Sequence, residues 1–85
     1  MERKKINILI NNTSQAIKVS AYSGYKLNER PLSFLLNEQL FEVKQIIYSW
    51  RDPDHDFFRI EADDEKEYVL KWNRAEDEWF LVKNI

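Results

Sequence analysis

Residues 58–72, Phe58-Arg59-Ile60-Glu61-Ala62-Asp63-Asp64-Glu65-Lys66-Glu67-Tyr68-Val69-Leu70-Lys71-Trp72, decide the fold. Phe58, Ile60 and Ala62 alternate with Arg59 and Glu61, and Tyr68, Leu70 and Trp72 alternate with Val69 and Lys71. Successive side chains of a strand point to opposite faces, so a period of two marks a strand with one face in a core. Four of the charged residues between the runs, Asp63 to Lys66, form a turn. Two alternating runs joined by a short polar turn predict an antiparallel hairpin.

Outward from this hairpin the same signals continue. Asn73 to Asp77 is a second turn, and Trp79 and Leu81 open a strand that runs toward Lys83. On the N-terminal side, Ile6 to Ile10 and Ile17 to Ala21 read as strands around the turn-rich Asn11-Asn12-Thr13-Ser14. Leu32, Phe34 and Leu36 alternate, Asn37-Glu38-Gln39 makes a hairpin loop, and Phe41 and Val43 begin a return strand that continues to Trp50. A change of face near Gln45 predicts a β-bulge. The expected fold is all-β, a small antiparallel barrel (SH3-like or similar) of about five to six strands. The competing reading is α+β with a helix within 31–50. There Leu32, Leu36, Leu40, Val43, Ile47 and Trp50 also fit spacings of three and four, and Pro31 suits a first helical position. The β-branched and aromatic residues of 41–50 favour strands.

Length and composition set the frame. Eighty-five residues form a single domain, 1–85, with 1–15 as an N-terminal extension or edge strand and 17–82 as the β core. With 44% apolar and 14% aromatic residues, the chain can fill a core without a disulfide, and it has no cysteine to make one. Thiolate metal sites and cysteine nucleophiles are excluded on the same ground. The apolar stretch Ile6 to Ile10 is too short for a signal-peptide core or a membrane span, so a cytoplasmic, non-membrane protein is expected. The net charge of −2 argues against a general nucleic-acid binder. That charge is unevenly spread. Residues 1–50 carry seven Lys/Arg and four Asp/Glu, and residues 51–85 carry six and eleven. The two halves are either ordinary solvated surfaces or a dipole that orients the domain on a partner.

Three segments together carry a resemblance: Tyr22-Ser23-Gly24-Tyr25 through Asn28-Glu29-Arg30-Pro31, then Trp50 with Pro53-Asp54-His55-Asp56-Phe57-Phe58, then Tyr68-Val69-Leu70 with Asp77-Glu78-Trp79. Their order and spacing resemble a family of small bacterial cytoplasmic proteins of unknown function. They are more loosely similar to a short domain appended to some Y-family-polymerase-like proteins. The resemblance covers residues 17–82 and implies a compact β-barrel-like domain with no assigned activity. Members of that family tend to have Gly in the turn that here reads Asp64-Glu65-Lys66, so this turn is expected to be built differently.

Candidate sites are few. Residues 22–31 hold the only Gly, two Tyr and four charged or amide side chains without a clear period. Tyr22 and Tyr25 could stack on bases or pack against a peptide, Lys26 and Arg30 could meet phosphate or carboxylate, and Asn28 could hydrogen-bond either. The plainer reading gives Gly24 a backbone role and the tyrosines a place in the barrel. Asp52-Pro53-Asp54-His55-Asp56 is unlike a calcium loop, because the sixth position is Phe57 rather than Gly and the twelfth is Asp63 rather than Glu. No metal and no cofactor are expected. His55 is the only histidine and lies in no nucleophile motif, so no enzyme is expected. Trp50, Trp72 and Trp79 read as core. The functional expectation is a non-catalytic binding module for a protein partner, with self-association through an edge strand as one route. The alternative is weak single-stranded nucleic-acid binding through Tyr22 to Arg30, and a metal-dependent hydrolase ranks last.

Overall fold

The computed structural model describes residues 14–22 and 30–84. The strands are β1 (Gln15–Tyr22), β2 (Arg30–Leu36), β3 (Gln39–Arg51), β4 (His55–Ala62), β5 (Glu67–Asn73) and β6 (Glu78–Asn84). Each pairs antiparallel with the next, and β1 closes on β6 through Gln15↔Leu81, Ala16↔Phe80 and Ile17↔Trp79. The protein is therefore a closed six-stranded antiparallel barrel. No helix is present among the described residues, and 31–50 forms β2 and β3 rather than the helix considered above. The expected strand at Ile6 to Ile10 lies outside the described residues.

β4 shows why the pattern folds as it does. Asp56, Phe58, Ile60 and Ala62 are buried while His55, Phe57, Arg59 and Glu61 are only partly so. The strand begins at His55, three residues before the alternating run identified from Phe58. Inside the barrel, Phe34, Phe41 and Tyr68 form one aromatic cluster with centroids 5.2 to 5.9 Å apart. Phe58, Trp72 and Trp79 form a second, with Trp79 at 5.8 Å from Phe58 and 5.9 Å from Trp72. Ile60, Leu70 and Ala62 are fully enclosed. Each large ring removes roughly 150–250 Å² from water, so these clusters supply much of the driving force for so short a chain.

The turns bear out the consequence of having a single Gly. Asn37, Glu38, Glu65 and Asp77 all have positive φ, at 51°, 68°, 69° and 55°. Asn37-Glu38 is a two-residue hairpin turn whose twist requires positive φ at both positions. At Glu65 the strain is offset by neighbours: Asp64 Oδ1 accepts the Lys66 N–H at 3.0 Å, and Asp64 Oδ2 accepts the Tyr68 hydroxyl at 2.5 Å. That is how the turn without Gly is built. The same contact pushes the Tyr68 phenol up to about 12, through burial first and the adjacent Asp64 carboxylate second. Desolvation works to raise Asp64 itself, but the bonds from Tyr68 and the Lys66 backbone prevail and hold it below the ordinary carboxylate value.

β3 departs most from a regular strand. Its register with β4 slips twice, between Val43 and Gln45 and again between Ile46 and Tyr48. Each slip reverses which side chains face the core, so Val43 and Ile46 pack inward while Tyr48 and Trp50 face out. The sequence pattern had marked only the first. A single bulge carries Trp50 inward and two carry it out again, so Trp50, expected in the core, is on the surface at 40% exposure.

Candidate functional site

Phe57 and Phe58 are adjacent in β4, so only one can enter the barrel, and Phe58 does. Phe57 stands on the outer face opposite Trp50 of β3. The two rings stack with centroids 5.1 Å apart and planes 2° from parallel. Tyr48, two residues before Trp50 on the same face, stacks on it at 5.5 Å and 27° and is 62% exposed. His55 completes the group at 5.9 Å from Phe57. The row continues across the sheet, because Lys71 of β5 lies opposite Phe57 and Phe80 of β6 lies opposite Lys71. The Lys71 ammonium sits 5.2 Å over the Phe80 ring. An aromatic ridge thus runs along the outside of the barrel.

The turn between β3 and β4 is held by its own polar groups. Asp52 Oδ1 accepts the backbone N–H of Asp54 at 2.8 Å and of His55 at 2.7 Å, and lies 3.1 Å from His55 Nδ1. The slight desolvation of Asp52 works to raise its pKa, but these bonds win and hold it below the ordinary carboxylate value. Asp56 points the other way, into the barrel mouth, and is the buried charged residue of the described core. It accepts a hydrogen bond from Arg74 Nη1 at 2.8 Å and pairs with Arg51 Nε at 3.4 Å. Arg74 Nη2 also donates to the carbonyls of Asp52 and Pro53, tying the turn to the one after β5. The carboxylates of Asp52 and Asp56 therefore serve separate structural contacts. Among the described residues no group of three or more His, Cys, Asp or Glu is placed to share a metal ion.

Of the binding candidates in 22–31, Tyr25, Lys26 and Asn28 lie outside the described residues. Tyr22 and Arg30 are backbone neighbours across the β1–β2 ladder. Arg30 borders an opening of about 500 Å³ with Ile46, Ser49, Trp50, Arg51 and Asp56, so this end of the candidate segment meets the end of the aromatic ridge.

Sequence reasoning missed Tyr48, Trp50 and Phe57 as surface residues. The Phe57-Phe58 doublet was the available signal, since a strand cannot bury both. Compared with known proteins, the chain matches no family model, no curated protein and no solved structure.

Proposed function

We propose that this chain is a non-catalytic binding module that engages a protein partner through the outer face of β3 and β4. The observation that carries the reading is the ridge itself: Trp50 and Tyr48 stand 40% and 62% exposed, stacked with Phe57 on the surface of a very small domain. Tryptophan and tyrosine rings dominate the energetics of protein interfaces, because they bring large area at little cost in side-chain entropy. A polar rim surrounds them. Arg59 donates to Glu67 at 2.7 Å, Arg51 pairs with Asp56, and Lys44 reaches Glu61 at 4.0 Å. An aromatic centre within a rim of mixed charge is the usual anatomy of such an interface.

The same surface favours protein over single-stranded nucleic acid. Nucleic-acid affinity comes largely from neutralising phosphates, and here the cations are few and paired, with Asp52 and Asp54 exposed beside them. Trp50 and Phe57 also turn ring faces toward each other rather than toward solvent, which leaves less open face for stacking bases.

The test is retention of an unrestricted immobilised peptide library by wild type and by Trp50→Ser, with a mixed-sequence oligonucleotide titrated in parallel at low and moderate salt. Peptides retained by wild type and lost by Trp50→Ser support the reading. Peptide retention indifferent to Trp50→Ser, or amide shifts at 48–57 seen with the oligonucleotide alone and weakening with salt, overturn it.

A further inference from the structure

His55 is the only histidine of the chain, and it stands where the β3–β4 turn meets the aromatic ridge. The turn is tight. The Asp52 N–H donates to the His55 carbonyl at 3.0 Å, and Asp52 Oδ1 accepts the N–H groups of Asp54 and His55. The same carboxylate faces the partly buried His55 ring, with Nδ1 3.1 Å from Oδ1 and 3.3 Å from Oδ2. An ionised carboxylate only accepts, so Nδ1 must carry a proton in this contact. The imidazole also lies 5.9 Å from Phe57, which stacks on Trp50 at 5.1 Å. His55 therefore joins the polar turn to the apolar ridge.

We propose that Asp52 and His55 form a pH-sensitive clasp, and that protonation of His55 tightens the β3–β4 turn and holds Phe57 against Trp50. Histidine is the side chain whose ordinary titration falls between pH 5 and 8. Asp52 is held below the ordinary carboxylate value and stays ionised over that range. Loss of the imidazolium proton therefore exchanges an ion pair for a hydrogen bond from a neutral ring, which is weaker. The imidazolium is also within the distance at which a cation is drawn to an aromatic ring, and the neutral imidazole loses that attraction to Phe57. Both contributions are present at low pH and are lost as pH rises through the histidine range. The remaining charges near His55 are fixed by the fold. Asp54 follows Asp52 in the turn, and Arg74 binds the carbonyls of Asp52, Pro53 and Asp54. Arg51 and Asp56 pair with each other across the β3–β4 ladder. On β5, Asn73 lies opposite His55 and Lys71 opposite Phe57; on β6, Glu78 lies opposite Asn73, with Glu76 in the turn before it. Asp54, Glu76 and Glu78 favour the imidazolium, and Lys71 and Arg74 oppose it. Among the described residues, Asp52 is the charged side chain within hydrogen-bond reach of the ring.

The experiment follows the full chain by NMR between pH 5 and 8, the histidine range, as wild type, Asp52→Asn and His55→Gln. Asn keeps an oxygen for the two backbone N–H groups while removing the charge, and Gln keeps a polar side chain that does not titrate. In wild type, the amide protection factors of Asp54 and His55 should fall about two- to fivefold from the acid to the alkaline end, the scale of a part-exposed ion pair. The Trp50 indole N–H shift should move over the same range as the Phe57 stack loosens. Both changes should be lost in the two variants, while the buried Trp72 and Trp79 indoles keep their wild-type shifts and report an intact barrel. A Trp50 signal that is flat in wild type overturns the clasp, as does amide protection that does not change with pH. A pH response that persists unchanged in either variant overturns it as well. None of these outcomes bears on the protein-partner reading, which the peptide library decides separately.

Discussion

Trp79 and Trp50 are the same residue type on opposite sides of one sheet, and they have opposite tasks. Trp79 is 7% exposed, between Phe58 and Trp72, while Trp50 is 40% exposed, between Phe57 and Tyr48. Both stacks bring large rings to within 6 Å of each other. The inner stack exchanges water for protein on nearly all sides and so holds the barrel closed. The outer stack leaves much of its area in water, so its removal alters the surface more than the fold. A ring contact alone does not report stability. The area withdrawn from water does.

Five substitutions test that contrast. Trp79→Ala should have the largest effect, a loss of about 3–5 kcal/mol, because it empties the inner cluster where the barrel closes on β1. Chemical denaturation measures it, and a loss below about 1 kcal/mol would mean that the inner and outer stacks do not differ as described. Asp56→Ala should cost about 1–3 kcal/mol, because it leaves Arg74 without its carboxylate in the barrel mouth. Adding Arg74→Ala should recover part of that loss in a double-mutant cycle.

Tyr68→Phe should cost about 1 kcal/mol near neutral pH by removing the hydroxyl bond to Asp64. Its pH signature is more specific. The folded Tyr68 pKa, about 12, lies above the ordinary value of 10.0, so its contribution is fully present below pH 10 and is lost as pH rises through about 12. Alkaline unfolding of wild type should therefore steepen in that window, and the variant should be flatter there. Equal slopes would remove the assigned contact. Trp50→Ser should disturb folding less than Trp79→Ala, since 40% of Trp50 already lies in water against 7% of Trp79. A loss as large as that of Trp79→Ala would show that the outer ridge is structural.

Legibility in the sequence followed regularity in the strands. β4, β5 and β6 could be read because Phe58, Ile60, Leu70, Trp72, Trp79 and Leu81 keep strict alternation and are all buried. β3 could not be read to its end. The first slip leaves a visible change of face near Gln45, but the second, between Ile46 and Tyr48, falls in the run Ile46-Ile47-Tyr48, where every residue is compatible with either face. The ridge was missed with it. Arg30 was singled out as a binding residue and does border the ridge, whereas Tyr25, Lys26 and Asn28 lie outside the described residues.

The sequence by itself determined the class of fold, the antiparallel hairpins and most of the core, because alternation and turn chemistry act between residues near one another in the chain. It also required turns with few glycines, a requirement met by Asn37, Glu38, Glu65 and Asp77. Only the tertiary structure decided three further things: the closure of β1 on β6, the parting of β2 from β3 beyond Ser33, and the outward placement of Trp50 and Tyr48. Each depends on register between strands. Register is set by the sum of packing across the whole barrel, and one slipped residue moves every later side chain to the other face.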